Sequence, residues 1–367
     1  MYKNDKRIVA TLDAGGTNFV FGAMQGCEYI TEPITLPSQA HDLELCLANM
    51  AKGFKQIFDK LPERPVAISF AFPGPADYPN GIIGGYLPNF PSFREGVALG
   101  AFLEKEFNMP VFINNDGDLF AYGEALCGAL PEINARLKES GASKQYKNLI
   151  GYTLGTGFGI GVVIDKKLNR GDNSCVETFC LRHRDMPSII VEEGVAIRAV
   201  CRVYGEKSGN PNHGLTPKEI CEIADGIREG DTLAAQEAFA TMGRTAGAAI
   251  STAVTIIDGL VVIGGGLAGA SHWFMPALLG EMRSRMRTLG GDELDLVQMK
   301  VYNLENPDEF DLFAKGETKK VKVFGEDRYV DYDCQKRTGI AISKLGASKA
   351  VSVGAYAFAL NKLDEKR

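Results

Sequence analysis

Asp13, Gly15, Gly16 and Thr17 fall at the end of an apolar run in the segment IVATLDAGGTNFVFGAM, residues 8–24. A carboxylate there can hold a magnesium ion through water while the N–H groups of the turn meet a phosphate, because glycine puts no Cβ in the way. The same residues also fit a type I′ or II′ hairpin turn. A second segment, LIGYTLGTGFGIGVVID at 149–165, repeats the pattern with Gly155, Thr156, Gly157 and Gly159. The Thr156 hydroxyl could bond a terminal phosphate. The residues after these glycines read as strand, which argues against a dinucleotide fingerprint, whose glycines open a helix. Two such loops in one chain point to a nucleotide held between two related lobes.

Three further positions carry possible chemistry. Gly264, Gly265 and Gly266 end the buried strand GLVVIGGG and precede a helix. The carboxyl edge of an α/β sheet is where ligands bind, and close backbone approach there suits an adenine or a ribose. A helix-opening turn that needs positive φ is the alternative. Asn114, Asn115 and Asp116 end the strand PVFI. Asp116 could take a proton from a hydroxyl, and it also fits the N-cap of the helix that comes next. A helix N-terminus lowers a carboxylate's pKa and burial in a closed cleft raises it, and the sequence leaves that contest open. The four histidines show no metal spacing. His183 comes three residues after Cys180 with no second ligand pair nearby, and His41, His213 and His272 read as surface or satisfied residues. No structural zinc is expected.

These residues need elements to position them. Residues 6–35 read as a β-meander around the first glycine turn. Apolar residues at helical spacing predict a helix over 42–61, and VAISFAF predicts a buried strand ended by Pro-Gly-Pro. A helix is expected at 96–107, a strand at PVFINND, and a helix just after Asp116. Residues 131–148 read as an exposed connection and 166–188 as an irregular substrate loop. Helices are expected at 190–204, 217–229 and 231–255, the last Ala-rich. Residues 300–337 read as a hairpin or insertion, and the chain closes on a helix.

The chain has 367 residues, enough for about two domains of ordinary size. The formal net charge of −6 argues against a nucleic-acid footprint, which is normally basic. Eight dispersed cysteines without a CxxC pair read as reduced thiols. No signal-peptide pattern precedes the first strand, and no apolar stretch approaches the length of a membrane span. A soluble cytoplasmic protein without a membrane partner is the expectation.

With those residues in hand, the chain resembles the ROK family of sugar kinases, part of the superfamily with the actin, Hsp70 and hexokinase ATPase fold. The resemblance runs over about residues 7–360. DAGGTN resembles the family's first phosphate motif, LGTGFGIGVVI its second and VVIGGGLA its adenosine motif, while AFPGPAD and NNDGDLFAYGE resemble its sugar-side motifs. It implies an α/β fold, two domains of the actin-like ATPase (ribonuclease H-like) type around a central cleft. The expected division is residues 1–115 plus 350–367, and 116–349.

The resemblance also implies ATP and Mg²⁺, with Asp13 holding the metal through water. Asp13, Gly15, Gly16, Thr17, Asn18, Gly155, Thr156, Gly157, Gly159 and Gly264 to Gly266 would contact the nucleotide. Asp116 would be the catalytic base, and Gly74, Asn89, Asn115 and Glu177 would line the sugar site beside it. The implied activity is phosphorylation of a hexose or amino-hexose hydroxyl, by a homodimer. Departures stand beside this. Cys180 occupies the place of the family's histidine after Glu177. MPSIIVEEG replaces its cysteine-rich zinc loop, and Glu192 or Glu193 is the candidate substitute for that loop's glutamate. A sugar or nucleotide sensor that has lost catalysis is therefore the alternative. A third reading, an ATPase coupled to an iron–sulfur protein, lacks bridging cysteines. No helix-turn-helix extension precedes Asp13, which counts against the DNA-binding branch.

Overall fold

The computed structural model describes residues 2–74, 76–176 and 180–365. The chain divides into two compact units: Met1–Pro131 with Gly159–Phe179 and Lys344–Arg367, and Glu132–Phe158 with Cys180–Ser343. The first stretch of chain carries β1 (Val9–Ala14), β2 (Asn18–Gln25), β3 (Glu28–Tyr29), β4 (Ile34–Pro37), α1 (Leu43–Phe58), β5 (Ala67–Ala71), β6 (Ala76–Asp77), β7 (Ile82–Ile83) and α2 (Leu99–Phe107). Then come β8 (Val111–Asn114), α3 (Asp116–Leu126), α4 (Ala129–Glu139), β9 (Leu149–Leu154), β10 (Phe158–Ile164), β11 (Lys167–Leu168), α5 (Ile197–Ser208), α6 (Pro217–Ala224) and α7 (Thr232–Ile257). The remainder is β12 (Leu260–Gly264), α8 (Ser271–Met282), β13 (Arg285–Arg287), β14 (Glu293–Asp295), β15 (Lys300–Asn303), α9 (Pro307–Lys315), β16 (Thr318–Lys322), β17 (Tyr329–Asp333), β18 (Arg337–Ile342) and α10 (Ala347–Glu365).

The first unit is built on a sheet in the order β3-β2-β1-β5-β8, with β4 also against β2. β1 and β2 form the expected antiparallel pair around the first glycine turn. β1, β5 and β8 are parallel, which requires crossovers, and α1 and α2 supply them. Asp42 caps α1 by accepting the Leu45 N–H at 3.1 Å. Cys46, Met50, Phe54 and Ile57 then recur at helical spacing on its buried face. Phe19, Phe21, Phe70, Phe72, Phe90 and Phe93 fill the core against that face, with Phe72 and Phe90 centroids 4.6 Å apart. α3 is buried at every position after Asp116. It packs on α10 at two glycines: a Cβ on Gly123 would overlap the Ala350 carbonyl, and one on Gly354 would overlap that of Leu119. This packing places α3 in the first unit, so the boundary expected at 115/116 falls inside it.

In the second unit the strands run β9-β12-β18-β15, all parallel. β9 and β12 are near-continuously apolar, as fits strands covered on both faces. α7 starts at Asp231, whose carboxylate accepts the Ala234 N–H at 2.9 Å, and runs for 26 residues. Two expectations need correction. Residues 131–148 are not all connection, because α4 occupies Ala129–Glu139, with Leu130, Ile133 and Leu137 buried along one side. The helix expected at 190–204 begins only at Ile197, after a 3-10 turn over Val191–Gly194. Residues 300–337 hold β15, α9 and the exposed hairpin β16–β17.

Candidate active site

Strand register brings the first-unit residues together. Asp13 on β1 pairs in register with Ala71 on β5, and Ala71 with Asn114 on β8. The carboxyl ends of three adjacent parallel strands therefore lie level. Each runs into a predicted segment: the Gly15–Thr17 turn, Gly74, and Asn115–Asp116. The first turn is closed by Gly15 N–H donating to Asn18 O at 3.0 Å, and its outer side is held by Ser38, whose N–H donates to Thr17 O at 2.9 Å and whose Oγ donates to Gly16 O at 2.5 Å. No residue from Ala14 to Asn18 has positive φ, so the turn is neither type I′ nor II′. The glycines are needed for room. A Cβ on Gly15 would sit 2.9 Å from Asn18 O, and one on Gly16 would sit 2.9 Å from the Asn89 Cβ. The first loop and Asn89 are thus in direct contact.

Asn115, not Asp116, is the N-cap of α3: its side chain accepts the Gly117 N–H at 2.8 Å. Asp116 opens the helix, and its Oδ1 also accepts that N–H at 2.9 Å. Dense surrounding protein raises the Asp116 carboxyl. The hydrogen bonds from Gly117 and from its own N–H oppose the rise, and the nearby negative Asp13 adds to it. Asp116 is exposed on one side, which tempers the desolvation without reversing its direction. The direction is upward, with the surrounding protein set against the hydrogen bonds at the helix N-terminus. Asp13 is likewise raised by desolvation while exposed to solvent. A cavity of about 750 Å³ opens beside Asp13, with Thr11, Gly22, Tyr29, Glu32 and Ser352 in its wall.

Two positioning residues were not read from the sequence. The Tyr78 hydroxyl donates to Phe72 O at 2.8 Å, accepts from Asn115 Nδ2 at 3.4 Å, and lies 2.8 Å from where a Gly74 Cβ would stand. It ties two predicted sugar-side residues together. Arg170 donates to Asn114 Oδ1 at 2.9 Å, just before Asn115. Glu177 lies outside the described residues.

The second loop is held within the second unit. Gly155 N–H donates to Gly157 O at 3.1 Å, and Ile197 N–H donates to Gly155 O at 2.8 Å. Glu192 Oε2 accepts the Phe158 N–H at 3.0 Å, and Arg198 donates to Thr156 O at 2.9 Å and to Glu192 Oε1 at 2.7 Å. Thr156 is exposed and Gly159 lies in β10. Thr153 pairs in register with Gly264, so the loop and the glycine triplet are neighbours. Gly265 has φ +92, and a Cβ on it would overlap the Leu154 carbonyl oxygen. That oxygen accepts the Leu267 N–H at 3.0 Å. The turn therefore requires glycine at Gly265, and the triplet lies beside the second glycine loop.

Glu192 and Glu193 are both engaged by Arg198, so neither carboxylate stands free for a sugar. His183 is buried against Gly194, its Nδ1 accepting the Asp185 N–H at 3.2 Å, and desolvation lowers its pKa. Cys180 is exposed.

The family model described as ROK matches residues 9–178. A glucokinase from Parabacteroides distasonis is 58% identical in a solved structure, over 98% of this chain and 99% of that one, with a TM-score of 0.91. The chain belongs to the ROK family. A ROK glucokinase from Streptomyces griseus, solved with glucose and AMPPNP, superposes at TM-score 0.60 with 17% identity over 95% of this chain and 98% of that one. That likeness is one of fold, the α/β actin-like ATPase architecture. The xylose repressor of Bacillus spizizenii is 29% identical over 42% of this chain. The match spans 39% of the repressor's length.

Proposed function

We propose that this ROK protein transfers the terminal phosphoryl group of ATP to a hydroxyl of a hexose or amino-hexose, with Asp116 as general base. The coarser statement, that it is an ATP-dependent sugar kinase, rests on its 58% identity to a glucokinase across nearly all of both chains. The finer one is carried by a single observation: Asp116 opens α3 at the level carboxyl edge of three parallel strands, beside Asn115 and near Asp13. A carboxylate with a raised pKa is a stronger base, once ionised, than an ordinary aspartate.

The first loop, the Gly155–Gly157 loop and the Gly264–Gly266 turn are the proposed nucleotide contacts. Gly74, Asn89, Asn115 and Glu177 are the proposed sugar contacts. The residues fit Mg²⁺ at Asp13: among the described residues no ion pair engages its carboxylate, which is exposed beside the amides of the turn. Asp13 would hold the ion through water, and the ion would neutralise phosphate charge. Asp116 would accept the proton of the sugar hydroxyl, while Asn115, fixed by Tyr78 and by its cap bond, would orient that hydroxyl.

Glucose is the first acceptor to try. A coupled ADP assay across hexoses and amino-hexoses tests the reading, because sugar-dependent ADP formation by wild type that is lost in Asp116→Asn supports it. The sensor reading draws on Cys180 at the place of the family's histidine, and it expects sugar binding without ADP formation. A cytoplasmic homodimer is part of the same proposal and is checked by light scattering and fractionation. No described helix is long and apolar enough to cross a membrane.

A further inference from the structure

Cys221 lies near the end of α6, Asp225 caps that helix, and His272 stands in the first turn of α8, all in the second unit. His272 Nε2 is 2.9 Å from Asp225 Oδ1, and Cys221 Sγ is 3.7 Å from Asp225 Oδ2. One ligand atom from each of the three lies within 4.8 Å of the others. We propose that Cys221, Asp225 and His272 form a three-ligand zinc site, with water completing a tetrahedron.

Geometry and ligand chemistry carry the inference. Zinc bonds of ~2.3 Å to sulfur and ~2.0–2.1 Å to nitrogen or oxygen set tetrahedral ligand atoms roughly 3.3–3.7 Å apart. The two contacts reach different oxygens of Asp225, and one ligand atom from each residue lies within 4.8 Å of the others, so side-chain rotation alone can close the three onto one ion. Thiolate, imidazole and carboxylate together suit zinc and not magnesium, so the Mg²⁺ that accompanies ATP does not compete. Asp225 and His272 are exposed and Cys221 is half-buried, which leaves an open approach. Trp273 Nε1 donates to Asp225 Oδ1 at 2.8 Å. It orients the carboxylate with Oδ2 toward the sulfur, the kind of outer contact that metal sites use.

Zinc takes the thiolate, so binding exchanges the Cys221 S–H bond for one Zn–S bond. The proton leaves to solvent, the sulfur lone pair goes to zinc, and His272 gives up its contact with Asp225 so that Nε2 can ligate. The bound ion would pin α6 to the first turn of α8, a few residues after the Gly264–Gly266 turn. A metal at this place is independent of the kinase reading, and its absence would leave that reading untouched.

The test is Co²⁺ titration of metal-stripped full-length protein, monitored by absorbance and then by displacement with Zn²⁺. A thiolate-to-cobalt charge-transfer band that saturates at one equivalent is expected, bleached by Zn²⁺ and indifferent to excess Mg²⁺. Cys221→Ser should abolish the band. His272→Ala, an exposed change that leaves the core intact, should weaken Co²⁺ affinity by at least tenfold. Zn²⁺ should raise the melting temperature of wild type more than that of either variant at the same concentration. Absence of the band in wild type, or a band that survives Cys221→Ser with unchanged affinity, overturns the proposal. In the second case the exposed thiols Cys175 and Cys180 would be the binders.

Discussion

Glu192 accepts the backbone N–H of Phe158 at 3.0 Å, and the same oxygen lies 2.9 Å from where a Cβ on Gly157 would stand. One carboxylate from the turn before α5 thus fixes the backbone of the second glycine loop and occupies the space a side chain there would need. Its other oxygen holds Arg198, which also binds Thr156 O. The glutamate offered from sequence as a sugar ligand instead holds the loop proposed to contact the nucleotide. Glu192→Ala should raise the KM for ATP by about 5- to 30-fold, the equivalent of ~1–2 kcal/mol for a lost charge-assisted bond, and leave the sugar KM unchanged. Steady-state kinetics with each substrate varied separates the two roles. A rise confined to the sugar KM would return Glu192 to the sugar site.

Asp116→Asn removes the proposed base and keeps the shape. Turnover should fall about 10²- to 10⁴-fold. Stability should not fall with it. A carboxyl whose folded pKa is raised contributes stability below its unfolded pKa and loses that contribution as pH rises through the folded value. At neutral pH the wild-type charge is therefore a cost, and the asparagine variant should melt at the same temperature or higher. Turnover close to wild type would remove Asp116 from the mechanism.

The same shift sets a pH limb. The base acts only when ionised, so kcat/KM for the sugar should fall as pH drops through a value above the ordinary aspartate range. Asp13 contributes to that rise by like-charge repulsion. Asp13→Asn should move the limb to lower pH, whatever it does to the maximal rate. A limb that stays in place would mean that Asp13 does not influence the titrating group.

Local pattern was enough to read some of this site. Both glycine loops form as strand–turn–strand because the β-branched runs and the turn composition are contiguous, and Asp116 stands at a strand-to-helix junction that the sequence marks with polar residues. The features that escaped depend on distant pairing. Tyr78 matters because its hydroxyl reaches Phe72 and Asn115, and Arg198 because α5 folds back on a loop 42 residues earlier. His272 looks like a surface histidine until α8 is laid beside Asp225, 47 residues away. The start of α4 was obscured by Pro131 in its first turn and the polar residues after it, although Leu130, Ile133 and Leu137 keep helical spacing. The turn type is hidden for another reason. Composition shows that glycine is present, not whether φ or space demands it.

The contact between α10 and α3 gives a stability test tied to the site, since α3 begins at Asp116. Gly354 lies inside α10 against the Leu119 carbonyl, where an added Cβ would overlap backbone that cannot rotate away. Alanine is the better helix former by about 1 kcal/mol, so propensity alone predicts stabilisation. Overpacking against fixed backbone costs roughly 1–3 kcal/mol and occasionally more, and here it should win. Gly354→Ala is expected to lower the melting temperature by several degrees, at ~2–4 °C per kcal/mol for a unit of this size. Gly280 in α8 supplies the control, because nothing lies within 4 Å of its added Cβ. Gly280→Ala should leave stability unchanged or raise it by about 0.5–1 kcal/mol. Calorimetry on the pair decides the matter. If both variants gain stability, α10 and α3 are not packed glycine to backbone, and the support proposed for Asp116 falls with that contact.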